Sequence, residues 1–357
     1  MKSFNIGDIK INVPIIQGGM GVGISLSGLA SAVANQGGVG VISSAGLGLI
    51  YSNLSKDYMK ASILGLKEEL KRAREKTRGV IGVNIMVAMS NFADMVKTSI
   101  AEKADIIFSG AGLPLDLPSF LTKDSKTKLV PIVSSVRAFK ILCDKWKTNY
   151  DYLPDAVVVE GPKAGGHLGY KKNQIFDPKF ALEETVPEVV AYAEFCKTEY
   201  GKEIPVIAAG GIYNGEDIYK METLGASAFQ LGSKFVTTEE CDANIDFKNT
   251  YINAKEQDIS IIASPVGMPG RAIEGEFTRL VEQDKCRPKN CPFHCIKTCD
   301  YTKSPYCIML ALYNASKGNL NRGYAFAGSN AYRAEKITSV KDTMDTLINE
   351  YETITKN

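Results

Sequence analysis

Eight short apolar runs punctuate the first two thirds of the chain, at 13–17, 39–43, 80–86, 104–109, 129–134, 156–160, 205–209 and 228–231. Helical patterns lie between them, over about 25–35, 52–76, 91–102, 136–147 and 182–200, and from near 215. In the first of these, Leu26, Leu29, Ala30 and Val33 share one face and Gly37-Gly38 stops the helix. Such alternation predicts parallel βα units. Two architectures are built from them, a doubly wound open sheet and a closed barrel. Eight units within residues 1–240 match the roughly 250 residues of a (βα)8 barrel, so the expected class is α/β, a (βα)8 TIM barrel. Residues 241–326 then form an inserted helical segment, and 327–357 return to the barrel with a C-terminal helix near 340–351.

Glycine and polar residues crowd the ends of these runs: Gly18-Gly19, Asn84, Gly110, Ser134, Glu160, Gly210-Gly211 and Gly232-Ser233. In a barrel all these ends share one rim, where active sites form. The corners after the seventh and eighth strands, Gly210-Gly211 and Gly232-Ser233, suit a phosphate, because bare backbone N–H groups bind a dianion without a lysine. Between Glu160 and Tyr170 lie Gly165, Gly166 and His167, one of only two histidines. Backbone without side chains lets a ligand approach closely, and a histidine there can move a proton. Alone, the stretch reads equally as a glycine-rich turn with a surface histidine. The early Gly19-Met20-Gly21-Val22-Gly23 departs from the dinucleotide spacing and lacks the acidic residue about 20 positions on.

Bulk properties remove several classes. Hydrophobic residues make up 45% and charged residues 23%, as in ordinary globular proteins, and the net charge of +2 steers the chain toward neither nucleic acid nor an anionic membrane. No apolar run is long enough to span a bilayer, and the N-terminus lacks a signal-peptide core. A cytoplasmic, reducing location is the default expectation.

Taken in order, Pro14-Ile15-Ile16-Gln17-Gly18-Gly19-Met20, Gly82-Val83-Asn84, Glu160-Gly161 through Ala164-Gly165-Gly166-His167, Ala209-Gly210-Gly211-Ile212 and Leu231-Gly232-Ser233-Lys234-Phe235 resemble the nitronate monooxygenase family. That family, formerly called 2-nitropropane dioxygenase, includes the flavin-dependent enoyl-ACP reductase of type II. The resemblance covers residues 10 to about 272 and resumes at Ala327-Gly328-Ser329. It implies a barrel holding FMN noncovalently. Gly19 and Met20 would contact the isoalloxazine, Asn84 would hydrogen-bond it, and Gly165 and Gly166 would pass near it. Gly210, Gly211, Gly232 and Ser233 would hold the phosphate. Glu160 would reach the ribityl chain or brace its loop. Ser329 stands where the family often carries glutamine. His167 matches the active-site histidine, which would take the α-proton of a neutral nitroalkane with a pKa near working pH.

The implied reaction oxidises a nitronate with O2 to a carbonyl compound and nitrite. The alternatives are NAD(P)H-dependent reduction of an enoyl thioester, and a non-catalytic flavin-binding redox sensor. The expected partner is a small-molecule substrate, with no nucleic acid and no membrane; a homodimer is left open.

One feature departs from the family. Cysteines stand at 286, 291, 295, 299 and 307, with His294 among them. In a reducing compartment such thiols suggest metal ligands before disulfides. Cys291, Cys295, Cys299 and Cys307 are the candidate set, for iron–sulfur ahead of zinc. The spacing matches neither a zinc finger nor the ferredoxin run, and structural thiols are the alternative. Cys143, Cys196 and Cys241 read as core residues.

Overall fold

The computed structural model describes residues 1–356. The chain opens with an antiparallel hairpin of β1 (Phe4–Ile6) and β2 (Ile9–Ile11). Next come β3 (Ile15–Gln17), β4 (Val39–Ser43), β5 (Val80–Met86), β6 (Ile106–Gly110), β7 (Lys128–Val133) and β8 (Val157–Glu160). A two-residue strand, β9 (Gly166–His167), lies outside the barrel, and β10 (Val206–Ala209) and β11 (Ala228–Leu231) complete it. The closed order is β3-β4-β5-β6-β7-β8-β10-β11, with every neighbouring pair parallel. The eight apolar runs are the eight barrel strands.

Strand parity decides what faces inward. Val39 and Val41, Ile106 and Phe108, Val130, Val158, Ile207 and Ala228 form one buried interior cluster. Their sequence neighbours, such as Ile42, Ile107, Val157, Val159 and Phe229, pack instead in the layer shared with the helices. Gly82 is inward because a Cβ there would lie 2.7 Å from a ring carbon of Phe108. Ile6 and Ile11 of the first hairpin join the interior cluster and close the end where strands begin. Lys128, the first residue of β7, pairs with Asp8 of that hairpin at 2.7 Å. Continuing the same parity, Asn84 and then Met86 on β5, Glu160 on β8 and Gln230 on β11 are inward positions toward the opposite end.

The last helix, Val340–Lys356, packs on the helix Gly215–Thr223. The Gly215 N–H donates to Glu350 Oε2 at 2.8 Å, and Tyr351 donates to Glu222. Among the described residues no helix is long and apolar enough to cross a membrane.

The segment 241–326 departs from the helical expectation. It carries the helices Ile245–Asn253, Glu276–Glu282 and Ile308–Ser316, but also a hairpin of β12 (Ile259–Ala263) and β13 (Pro269–Ile273). Pro265, Gly267 and Pro269 disguise it, since such residues interrupt a strand pattern. β13 continues onto β9, pairing Gly270 with His167 and Arg271 with Gly166. The long loop after β8 is therefore tied down by a hairpin about a hundred residues later.

Candidate active site

A cavity of about 1000 Å3 opens at the strand ends. Its floor is made by inward residues at or near the strand ends: Gly18, Ser43, Asn84, Gly110, Glu160 and Gln230. Gly19 sits tight on that floor, for a Cβ there would come within 2.3 Å of Asn84 Cβ. Met20 lines the adjoining wall.

Two corners provide free donors. The N–H groups of Gly210, Gly211, Gly232 and Ser233 have no backbone acceptor among the described residues. Gly210 and Gly211 hold φ of +95° and +90°, the left-handed region that favours glycine. A Cβ on Gly232 would meet only Met20, at 3.6 Å or more, so this corner faces the cavity. Segment 327–330 packs behind both corners. Gly328 donates its N–H to Ser233 Oγ at 2.8 Å, and Asn330 Nδ2 donates to the Gly211 carbonyl at 2.6 Å.

His167 enters from the side on β9. Its Nε2 lies 2.7 Å from Ser264 Oγ, in the link between β12 and β13. Its ring meets Phe326 edge-on at 5.0 Å. Arg271, buried on β13, donates from one guanidinium nitrogen to the carbonyls of Pro162 and Ala164, at 2.5 and 3.1 Å. That clamp shapes the turn leading to Gly165 and Gly166. Gly166 has φ of +77°, and a Cβ there would meet nothing within 4 Å, so bare backbone faces open space.

Burial sets the protonation of both titratable groups. His167 is pushed from 6.5 down to about 4, so the imidazole is neutral at working pH. The expectation of a pKa near that pH is corrected, because the half-buried ring is desolvated and no acidic side chain offsets that loss. Glu160 is pushed up from 4.5 to about 7, again by burial. Its carboxyl makes no ion pair among the described residues, and its backbone carbonyl accepts from the Tyr170 hydroxyl at 2.7 Å.

The two shifts act on stability with opposite sign. Glu160 binds its proton more tightly when folded, so its contribution is complete below pH 4.5 and lost as pH rises through 7. His167 binds its proton less tightly, so its contribution is complete above pH 6.5 and lost as pH falls through 4. Between pH 4.5 and 6.5 they oppose one another. Glu160→Gln should therefore gain on the parent protein between about pH 5 and 8, by about 3 kcal/mol at most. Urea titration of both flavin-free proteins at the two pH values checks this; an equal difference at each would show that Glu160 ionises normally.

A family model described as nitronate monooxygenase matches residues 2–350. The chain belongs to the nitronate monooxygenase family. This is a family of flavin-dependent oxidoreductase enzymes. A probable nitronate monooxygenase of Staphylococcus haemolyticus (strain JCSC1435) is 26% identical over 312 residues, covering 77% of this chain and 79% of that protein. One of Staphylococcus aureus (strain MSSA476) is 26% identical over 313 residues, with the same coverage. FabK from Thermotoga maritima superposes with a TM-score of 0.73 at 26% identity, covering 97% of this chain and 94% of that one. Nitroalkane oxidase from Streptomyces ansochromogenes gives the same TM-score at 20% identity, covering 97% of each chain, and shares the fold.

Of the residues expected to form the family's site, Gly19, Met20, Asn84, Glu160, Gly165, Gly166, His167, Gly210, Gly211, Gly232 and Ser233 line the one cavity. Ser329 does not, although Gly328 and Asn330 beside it do. Its N–H donates to the Lys163 carbonyl at 3.0 Å and its hydroxyl is buried without a partner. Ser264, Arg271 and Gln230 were not anticipated. Only Gln230 carried a readable signal, its parity on β11.

All eight cysteines are free thiols, and Cys143, Cys196 and Cys241 are buried as core residues. Among the described residues no three His, Cys, Asp or Glu side chains are gathered to hold a single metal ion. Cys291, Cys295, Cys299 and Cys307 share a neighbourhood without forming such a centre.

Proposed function

We propose that this chain is an FMN-dependent oxidoreductase that oxidises nitronates and nitroalkanes with O2 to a carbonyl compound and nitrite. The observation that carries this reading is the neutral His167, held by Ser264 beside the bare backbone of Gly165 and Gly166. The cavity residues fit FMN. Unpaired N–H groups at Gly211, Gly232 and Ser233 suit its phosphate, and Asn84 and the flat Gly18-Gly19 floor suit its ring. When bound, FMN supplies the redox chemistry, taking electrons from the substrate and passing them to O2.

The protein's own part is placement and proton handling. In the tautomer whose Nε2–H donates to Ser264, Nδ1 keeps a lone pair that would accept the α-proton of a neutral nitroalkane. A preformed nitronate has already lost that proton, so it needs only orientation. Glu160, partly protonated near neutral pH, can donate a hydrogen bond from the floor. Ser264→Ala should lower turnover of a neutral nitroalkane about tenfold, since it unpins a general base, while flavin content stays unchanged. Unaltered turnover would show that the contact does not orient the ring.

A second reading, NAD(P)H-dependent reduction of an enoyl thioester, draws on Lys171 and Lys172, which line the cavity and would face a phosphorylated carrier. The deciding experiment follows the flavin spectrum of the purified protein under nitrogen. Bleaching by a nitronate, with nitrite released on admitting air, supports the first reading. Bleaching by NAD(P)H, with turnover of an enoyl thioester and none of a nitronate, replaces it with the second. Bleaching by neither leaves a flavin-binding sensor.

A further inference from the structure

From 283 to 307, between the helices Glu276–Glu282 and Ile308–Ser316, the chain forms no helix or strand. Stretches of this length without structure of their own are uncommon in compact domains unless they carry function. Most of its side chains are exposed. Its cysteines are not: Cys295 is buried and Cys286, Cys291, Cys299 and Cys307 are half-buried. His294, immediately before Cys295, holds a left-handed φ of 43°, a conformation uncommon outside glycine.

This segment is nevertheless fixed to the barrel. The Cys295 carbonyl accepts from the Ser90 N–H at 3.1 Å, and the Lys297 N–H donates to the Ala88 carbonyl at 2.9 Å. A turn closes between them and Cys299, whose N–H donates to the Ile296 carbonyl at 3.3 Å. Cys295, Cys299 and Cys307 belong to one packed cluster with Val22, Tyr58 and Phe293. Cys291, four residues before Cys295 in the chain, lies with Cys299 and Cys307 within electrostatic reach of the Cys295 sulfur. Cys286 belongs to another cluster, with Phe277, Tyr306 and Tyr324.

Four thiols thus converge, and a fifth nearby does not. A single tetrahedral ion would draw its ligands onto one centre, which the described residues do not form. A cage of several irons and sulfides spreads its cysteine ligands more widely, and four cysteines are the usual complement for one. We propose that Cys291, Cys295, Cys299 and Cys307 bind an iron–sulfur cluster. The site adjoins the cavity wall, since Leu312 packs in the same cluster as Cys295 and also lines the cavity. Its assembly requires neither substrate nor flavin.

The test uses the full chain purified under nitrogen, with any iron-free protein incubated with ferrous iron and sulfide. Iron and acid-labile sulfide should be bound in equal amounts, with an electron paramagnetic resonance signal after dithionite reduction that is distinct from flavin. Cys295→Ser and Cys299→Ser should lose most of the iron, and Cys286→Ser should keep it. Cys291→Ser, at a half-buried position, serves if the buried change prevents folding; circular dichroism reports folding in each case. Zinc bound without sulfide, a disulfide among the four, no iron uptake by folded protein, or full retention of iron in the serine variants would each overturn the proposal.

Discussion

His167→Ala should retain FMN and lose turnover of a neutral nitroalkane about 1000-fold. Loss of a positioned general base costs on the order of 100- to 10,000-fold, and 1000-fold corresponds to about 4 kcal/mol of barrier. The middle of that range is expected because Ser264 and Phe326 fix the imidazole, so the base acts from one geometry. The loss should be smaller with a preformed nitronate, which brings no α-proton to remove. The pH profile of the parent enzyme provides a further check. A base with a pKa near 4 stays available through neutrality, so activity on a neutral nitroalkane should not fall on this account between about pH 8 and 6. Nitrite release measured at matched flavin content decides the matter. Equal rates in the alanine variant would remove His167 from the proton transfer and leave the proposed reaction without its base.

The barrel was legible because one rule, apolar runs alternating with helical patterns, repeats eight times and survives errors at single boundaries. The floor was legible for a related reason. Glu160 ends its strand at inward parity and Asn84 lies two residues from the end of its own at the same parity, and polar groups there face the cavity whatever the loops do. What escaped is long-range and pairwise. Ser264 reaches His167 across almost a hundred residues, and nothing local marks either as the other's partner. The strand β9 exists only because β13 comes to lie beside it, while its own two residues look like loop. Arg271 reads as an ordinary charged residue until burial shows it clamping the carbonyls of Pro162 and Ala164. The depressed pKa of His167 belongs to the same class, since it reflects enclosure by segments the sequence does not bring together.

Gly211→Val should raise the FMN dissociation constant about 100-fold while leaving the barrel folded. Gly211 holds φ of +90°, and a Cβ would come within 2.9 Å of Lys163 Cβ. That atom is anchored next to the backbone, so relief requires the 161–166 loop to move rather than a side-chain tip to swing away. A left-handed conformation costs an L-residue roughly 1–2 kcal/mol. The displaced loop and the misaimed N–H add to it, for about 3 kcal/mol in all, which is 100-fold or slightly more in affinity. Gly201 supplies the control. It also has positive φ, +68°, but a Cβ there meets nothing within 4 Å, and it caps the helix Leu182–Tyr200 before β10 begins, whereas the phosphate corner follows the end of that strand. Gly201→Ala should therefore lower stability by its backbone strain alone and leave FMN affinity as it was. Fluorescence titration of flavin-free protein separates the two. If Gly211→Val binds FMN as tightly as the parent, the phosphate does not lie at the corner between the seventh and eighth barrel strands. If Gly201→Ala weakens binding equally, general destabilisation rather than local geometry explains both.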